Sequence, residues 1–469
     1  MTTDQIHWLS ATELAAAYAC GGLSPMDVTR TMLDRIAAVD GCHSGFETVA
    51  ADQAMAAAKV ATEEIAQGNI RSPLHGVPIA VKDLYDTAQL RTAAGTRMLR
   101  DNVPDRDATV MARLNAAGAV LLGKLKMTEG ACSLHHPDVA PPLNPWGHEY
   151  WPGASSSGSG VATAGGYCFA SLGSETVCSI RYPSALCGLV GLKPTNGRVS
   201  RAGVFALAGT LDHVGPMTRT VADAAAMLAV IAGVDDRDPS ALSAPVPDYT
   251  AELARGVAGL RIGYDPAFNS HRVKPAITAA VEAAIAVLAD QGAEIVEIKV
   301  PDCTAALMAA AITLHAGIAH AHRDYFPIHK DDYGPELRQY VEVGQTIAGA
   351  DVAAAEEQRR LWSGQLRHLF AGIDLMISPT TTFTESVMAE RPAGPANFLK
   401  ERVLAPLRFT FPYAFSGHPA MTLPAGFADT GMPIAIQFTG PHLGESDIIR
   451  AGHAFQSATN WHLQHPATD

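Results

Sequence analysis

Basic residues are scarce in this chain of 469 residues, and charged residues of either sign are few. Lysine and arginine number 34 against 47 aspartate and glutamate residues, so the formal net charge is −13. Nucleic acids and anionic membrane surfaces attract proteins through clustered basic residues. The charge balance therefore excludes nucleic acid and a membrane surface from the expected partners.

Cysteine is sparse and irregularly placed, and long apolar runs are missing. Seven cysteines, an odd number without close regular spacing, argue against a disulfide framework and for reduced thiols in a cytoplasm. The first residues lack the basic and apolar regions of a secretory signal. No uninterrupted apolar stretch reaches the ~18 residues that a membrane span needs. We therefore expect a soluble, cytoplasmic protein.

The composition is that of a globular protein, with 48% hydrophobic and 17% charged residues. Length alone suggests about two or three domains. The apolar pattern alternates between helical and strand-like segments, which is typical of an α/β protein. The predicted helices are 11–40 (two helices, the second beginning at Ser24-Pro25), 51–67, 108–117, 153–166, 220–233, 275–291 and most of 303–372. The predicted strands are 77–82, 119–123, 259–264, 294–300, 374–378, 420–424 and 433–438. Ser179 is expected in the loop after the helix 153–166.

Three short segments, far apart in sequence, together suit one nucleophilic site. They are residues 76–83 (GVPIAVKD), 152–158 (PGASSSG) and 173–181 (GSETVCSIR). Each supplies one amine or hydroxyl, and the latter two embed it in small, turn-forming residues. A serine attacks a carbonyl only if a neighbour takes its proton and a polar pocket receives the oxyanion. A lysine and two serines can do this without histidine.

Taken singly, each segment has an ordinary structural explanation. A lysine after an apolar run is usually a charged strand end, and a lone serine is usually a buried, hydrogen-bonded strand residue. Residues 153–158 fit the first half of a phosphate-binding loop, but Ser159-Gly160 stands where that loop needs lysine followed by serine or threonine. The nucleotide-binding interpretation therefore fails.

Taken together, the order and spacing of Lys82, Ser155 and Ser179 resemble the amidase signature family. The resemblance covers roughly residues 10–235 and 370–460. Its further motifs are RYPSALCGLVGLKPT (181–195), GRVS (197–200), LDHVGPMTR (211–219), SGHPA (416–420) and LPAG (423–426). It implies one amidase domain over 1–469 with a central mixed β-sheet and helices on both faces. Within it lie a helical N-terminal segment (1–67), a core (about 70–235 and 370–460) and a variable helical region (about 303–372).

The resemblance also implies a Ser–cis-Ser–Lys triad. Ser179 is the implied nucleophile, Ser155 bridges after a cis peptide bond from Ala154, and Lys82 accepts the proton. Burial lowers a lysine pKa, which would leave Lys82 neutral as this role requires. The implied oxyanion hole uses the backbone N–H groups of Thr176, Val177 and Cys178. Supporting roles fall to Ser156, near Lys82 or Ser155, and to a Glu175–Arg181 pair around the nucleophile. No metal or organic cofactor is required.

The chain departs from the family pattern at the proposed oxyanion hole. Val177-Cys178 replaces the usual Gly-Gly, and Glu175 replaces the usual aspartate, which would re-angle its pair with Arg181. Glycine tolerates positive φ and a close ligand, whereas valine rarely does. Either the loop keeps its shape and the side chains reshape the acyl pocket, or it has moved and the substrate is unusual, or activity is lost. We favour the first, because any non-proline residue supplies an N–H. Cys178 is interpreted as pocket-lining, since no histidine nearby in sequence activates its thiol.

Histidine is plentiful but forms no metal-binding pattern. The 18 histidines include His135-His136 and a group at 315, 320 and 322, yet no cysteine pair or HExxH motif completes a site. His320 and His322 would point to different faces of a helix. The MTEG segment (127–130) resembles a pocket segment of the family, so His135 or His136 is a candidate pocket residue.

The predicted activity is hydrolysis of a linear, non-peptide amide by a serine amidase acting on a small molecule. The exact substrate stays open, because aliphatic amides, anilides, carbamates and ureas are all handled by the family. The scarcity of basic residues around the motifs favours a neutral substrate. A glutaminase subunit of a tRNA-dependent amidotransferase is a second alternative. A binding protein inactivated by Val177-Cys178 is a third. The resemblance is also compatible with a homodimer.

Overall fold

One mixed β-sheet of 11 strands forms the centre of the computed structural model, which describes residues 6–390 and 400–467. The strands are β1 (Phe46–Val49), β2 (Pro78–Lys82), β3 (Val120–Leu125), β4 (Ala170–Glu175), β5 (Val190–Lys193), β6 (His213–Thr218), β7 (Arg261–Tyr264), β8 (Glu294–Glu297), β9 (Leu375–Pro379), β10 (Ala420–Phe427) and β11 (Pro433–Thr439). Their order across the sheet is β1-β3-β2-β4-β6-β5-β10-β11-β9-β7-β8. The predicted α/β fold with a central mixed sheet is thus confirmed.

Parallel pairing is confined to two parts of the sheet. Strand β2 is parallel to both β3 and β4, and β7 is parallel to both β8 and β9. The strands between these two groups pair antiparallel, including β4 with β6 and β10 with β11. Every residue of β2, β4, β6, β9 and β11 is buried, so both faces of the sheet are covered there.

Helices supply that cover. They include α1 (Ala11–Ala19), α2 (Pro25–His43), α3 (Ala51–Ala66), α4 (Thr109–Ala116), α5 (Ser157–Ala164), α6 (Arg181–Leu186), α7 (Val221–Ile231), α8 (Pro266–Ser270) and α9 (Pro275–Asp290). They continue with α10 (Thr304–Ala321), α11 (Phe326–His329), α12 (Pro335–Gln345), α13 (Gly349–Phe370), α14 (Glu401–Leu404), α15 (Phe411–Phe415) and α16 (Glu445–Ala458). Local sequence features fix where the first two helices begin. Ser10 and Ser24 are N-caps whose side chains accept hydrogen bonds from backbone N–H groups, and Pro25 is the first residue of α2.

Four strands were missed by the sequence pattern. Strands β1, β4, β5 and β6 are short or carry glycine and polar residues, so they lack a clean apolar period. The expectation that Ser179 lies in the loop after the helix at 153–166 is therefore wrong. That helix ends at Ala164, strand β4 follows, and Ser179 comes after β4.

Helix α10 is the most apolar long helix of the described chain. By length and composition alone it could cross a membrane. Such a helix was not predicted, because the sequence prediction considered only uninterrupted apolar runs. Eight of its 18 residues are buried, and it packs against α12 and α13. The core helix of a globular protein can be equally long and apolar, so this helix is weak evidence for a membrane span.

Gly158, at the start of α5, lies against the backbone at the end of β3. A Cβ added there would approach Gly45 O to 2.5 Å and Lys126 N to 2.6 Å. We expect Gly158→Ala to lower the free energy of unfolding by about 1–3 kcal/mol, because backbone cannot give way as a side-chain tip can. Urea unfolding midpoints measure this.

Gly364 is the matched control, since it lies inside α13 with nothing within 4 Å of an added Cβ. Gly364→Ala should raise the stability by about 0.5–1 kcal/mol through helix propensity. Equal effects of the two substitutions would contradict the close backbone approach at Gly158.

Candidate active site

The three motif segments meet at one edge of the sheet. Strands β2 and β4 run parallel as neighbours, so their carboxyl ends, Lys82 and Glu175, lie at the same edge. The residues after β4 lead directly into α6, and the PGASSSG segment leads into α5. Chain ends of this kind gather polar groups around a crevice, which is where open α/β sheets bind ligands.

Lys82 is fully buried and touches two serine hydroxyls. Its Nζ lies 2.6 Å from Ser155 Oγ and 2.9 Å from Ser174 Oγ. Burial lowers the pKa of Lys82 to about 7, although the charges of Asp212, Glu175 and Cys178 oppose that change. Near neutral pH a large fraction of the amine is therefore uncharged and able to accept a proton.

The segment before α5 carries two of the predicted site residues, Ser155 and Ser156. The peptide bond between Ala154 and Ser155 is cis. Ser156 Oγ donates to Ser174 O at 3.2 Å and lies 3.3 Å from Ser174 N, which donates to it. Ser156 thus reaches Lys82 through Ser174 rather than by direct contact.

Ser179 lies between β4 and α6, next to a buried ion pair. Glu175 accepts hydrogen bonds from the backbone N–H groups of Ile180 and Arg181, both at 3.0 Å. Its other oxygen accepts from Arg181 Nε at 2.8 Å, and both side chains are fully buried. The pair therefore fixes both ends of the loop 176–179.

The segment predicted as an oxyanion hole is held from its first residue. Thr176 Oγ1 donates to Asp212 Oδ1 at 2.6 Å, and Asp212 also accepts from the backbone of Leu207 at 3.0 Å. Neither Val177 nor Cys178 has a positive φ. The backbone at these positions is therefore compatible with a β-branched and a thiol side chain, and it needs no glycine there.

A cavity of about 820 Å³ opens above these residues. Its wall includes Thr176, Val177, Cys178 and Ser179, and it also includes Ala154 from the segment before α5. The side chains that replace Gly-Gly thus form part of the wall. Helices α10 and α12 supply Leu314, Ile318, Glu336 and Tyr340 on another side.

The two histidines considered for the pocket do not line this cavity. His135 Nε2 lies 3.1 Å from Ser157 Oγ, and His136 Nδ1 accepts from the backbone N–H of Asp138 at 3.1 Å. These two candidate residues therefore lie outside the cavity wall, and His135 contacts the start of α5 instead. Within residues 6–390 and 400–467, no group of three or more His, Cys, Asp or Glu side chains could hold a metal ion.

Two residues around the lysine were not predicted. Ser174 contacts Lys82 directly, and Asp212 both contacts Thr176 and acts on Lys82 by its charge. Both lie inside motifs that the sequence marked, GSETVCSIR and LDHVGPMTR. The sequence shows the Ser174 hydroxyl one position before Glu175. Its closeness to Lys82 follows only from the parallel pairing of β4 with β2.

Comparison with known proteins identifies the family. A model of the Amidase family matches residues 27–449. The putative amidase AmiD of Mycobacterium tuberculosis (strain ATCC 25618 / H37Rv) is 41% identical over 464 residues, which cover 99% of this chain and 97% of that protein. A Glutamyl-tRNA(Gln) amidotransferase subunit of Geobacter sp. (strain M21) is 35% identical, and the match covers 98% of this chain and 99% of that protein.

A solved structure agrees with the sequence relatives. The native peptide amidase from Stenotrophomonas maltophilia superposes with a TM-score of 0.82 at 30% identity, covering 96% of this chain and 97% of that one. The family model spans the three segments that carry Lys82, Ser155 and Ser179. The chain belongs to the amidase signature family, whose fold it has, and is a hydrolase of the kind that acts on amides.

Proposed function

We propose that the protein cleaves the C–N bond of a small-molecule amide through an acyl-enzyme on Ser179. The observation that carries this proposal is the 2.6 Å contact between Lys82 Nζ and Ser155 Oγ beneath the cavity that Ser179 lines. A fully buried lysine with a pKa of about 7 is suited to accept a proton near neutral pH.

In the first half of the reaction, neutral Lys82 draws a proton through Ser155 from Ser179. The Ser179 oxygen bonds to the substrate carbonyl carbon, and the carbonyl π electrons move to its oxygen. When the C–N bond breaks, Ser155 returns a proton to the leaving nitrogen, so the amine departs neutral. The proton removed from Ser179 thus leaves with the product, and Lys82 is neutral again.

In the second half, water repeats the same steps. Lys82 takes a proton from water through Ser155, the hydroxide oxygen bonds to the acyl carbon, and the bond to Ser179 breaks as its oxygen regains a proton. Backbone N–H groups of Thr176, Val177 and Cys178 are assigned to the oxyanion. The buried Glu175–Arg181 pair keeps that loop in place while charge develops.

A glutaminase subunit of a tRNA-dependent amidotransferase is the second candidate function. The observation that favours it is the 35% identity to the Geobacter amidotransferase protein over nearly the whole chain. Incubation of the purified protein with glutamine, with ammonia release as the readout, tests this candidate. Co-purification of partner proteins from the native host is the second measurement.

A binding protein without catalytic activity is the third candidate, argued from Val177-Cys178. Its premise was that these residues disturb the loop, and the absence of positive φ at both positions weakens that premise. The two side chains line the cavity instead. We expect them to affect which substrates fit and not whether the protein is active.

One prediction distinguishes between the two candidate nucleophiles, Ser179 and its neighbour Cys178. We expect Ser179→Ala to lower amide hydrolysis by a factor of about 10³ or more, whereas Cys178→Ala keeps most of it. Intact-protein mass after incubation with a fluorophosphonate should show one adduct on the wild type and on Cys178→Ala. The adduct should be absent from Ser179→Ala.

The reverse ranking would move the nucleophile to Cys178. A folded wild type that forms no adduct and hydrolyses none of a panel of amides, anilides and carbamates would favour the binding protein. Circular dichroism spectra that match the wild type ensure that each variant is folded.

Another prediction concerns the pH dependence of the rate. Because protonated Lys82 has no lone pair to accept a proton, kcat/KM should fall about tenfold per unit as pH drops below ~7. The acidic limb should thus fit an apparent pKa near the value of about 7 that burial gives Lys82. Rates of a neutral amide across pH 5 to 9, on the order of ten points, measure the limb.

Ser174→Ala tests whether that acidic limb belongs to Lys82. Ser174 Oγ accepts from Lys82 Nζ at 2.9 Å and so favours the charged lysine. Its removal should lower the pKa of Lys82 and move the acidic limb to lower pH. If the apparent pKa of the acidic limb is unchanged in Ser174→Ala, the limb belongs to a group other than Lys82.

A further inference from the structure

The cavity above Ser179 is larger than a simple aliphatic amide needs. Its volume of about 820 Å³ lies within the ~300–1,000 Å³ range of sites that enclose drug-sized ligands. Most of the wall is apolar or aromatic. Its larger apolar and aromatic members are Trp151, Tyr182, Leu207, Leu314, Ile318, Tyr340, Phe383 and Leu407. A bulky, largely apolar body fits this wall best, because its burial releases water from apolar surface.

Charge in the wall has one sign. The ionisable side chains that line it are two carboxylates, Glu336 and Glu385, together with thiols and phenols. No lysine, arginine or histidine belongs to the wall within the described ranges 6–390 and 400–467. Arg181, which follows the loop 176–179, is fully buried and engaged with Glu175 and Gln437, so it does not face a ligand.

Glu336 stands on a rigid element of that wall. It is the second residue of α12, and Tyr340, one turn later on the same face, also lines the cavity. The start of α12 is fixed to the site, since Gly334 N donates to Glu129 at 2.9 Å. The charge of Glu336 also helps to raise the pKa of the Cys132 thiol in the same wall, although burial is the larger cause.

Glu385 belongs to a different part of the chain. It follows β9 in a segment whose Phe383, Ser386 and Val387 also line the cavity, and its carboxylate accepts a hydrogen bond from Thr384 Oγ1. Two elements separated in sequence therefore each place a carboxylate in the same apolar cavity. Within such a low-dielectric wall, opposite charges attract and like charges repel more strongly than in water.

We infer that the preferred substrates are amides whose bulky apolar or aromatic body carries an ammonium group, with Glu336 as the residue that selects for it. This inference rests on the proposed function of the same cavity and names its substrate class. Amides with a carboxylate are disfavoured, because they would bring a third negative charge into the cavity. Glutamine carries both an ammonium group and a carboxylate, so this inference does not rank the glutaminase candidate.

Three para-substituted phenylacetamides of similar size test the inference. The substituent is aminomethyl, ethyl or carboxylate, which makes the probes cationic, neutral and anionic at slightly alkaline pH. For the wild type we expect kcat/KM to rank ammonium above ethyl above carboxylate, with about tenfold or more between the first and the last. The ratio should shrink as salt is added, since mobile ions screen charge.

Variants assign the preference to its residue. Glu336→Gln should lower the ammonium-to-carboxylate ratio of kcat/KM by about fivefold or more. Glu336→Lys should make the carboxylate the better charged substrate. Glu342→Gln is the matched control: Glu342 lies on the same helix but is exposed and pairs with Lys330 at 2.9 Å, so the ratio should not change.

The outcomes keep this inference apart from the proposed function. Normal cleavage of the ethyl compound with no charge ranking overturns the substrate class and leaves the amidase function standing. A ratio in Glu336→Gln within about twofold of the wild type overturns the role of Glu336 in selecting the substrate. A fluorophosphonate adduct on Ser179 without cleavage of any probe also overturns the substrate class. Absence of both adduct and cleavage removes the proposed function and the inference with it.

Discussion

The buried ion pair between Glu175 and Arg181 is the interaction on which the site depends. Arg181 also donates to Gln437 Oε1 at 2.9 Å and to the backbone carbonyl of Thr410 at 2.7 Å, so it ties the nucleophile loop to the C-terminal strands. Removing one partner would leave an uncompensated buried charge, at a cost of about 3–5 kcal/mol. The carboxylate is additionally satisfied by two backbone N–H groups at the start of α6. The loop 176–179 is therefore held at both ends by charge-assisted hydrogen bonds.

Burial in the same core lowers the pKa of Lys82, but burial alone does not distinguish Lys82 as the proposed base. Lys124 and Lys193 are also buried, with pKa values lowered by burial to about 8 and about 7. Lys193 Nζ donates to the carbonyl of Pro194, and Lys124 donates to a carbonyl and two threonine hydroxyls. Of these three lysines, Lys82 is the one that combines a lowered pKa with a contact to a serine beneath the cavity. Geometry, rather than the pKa, distinguishes the candidate base.

The exchange of Gly-Gly for Val177-Cys178 is best understood as a change in the cavity. A loop that required positive φ would be strained by valine, yet the backbone here avoids that region. Thr176 and Glu175 fix the loop through Asp212 and Arg181, and the side chains of Val177 and Cys178 form part of the cavity wall. We expect substrate selection to depend on this wall, to which helices α10 and α12 also contribute. Loops and helices outside the shared motifs are where members of one fold acquire different substrates.

The sequence by itself determined the α/β class, the family motifs and the three segments that carry Lys82, Ser155 and Ser179, because apolar periodicity and short motifs are local properties of the chain. Strands such as β4 and β6 were not predictable, since their glycine and polar residues become strand only by pairing within a sheet. Ser174 and Asp212 acquired a role only when β4 was placed beside β2 and the LDHVGPMTR segment beside Thr176. The sign of charge in the cavity was decided by Glu336 and Glu385, which no local pattern connects to Ser179. Contacts between distant segments depend on how the sheet is ordered, and that order is a property of the tertiary structure.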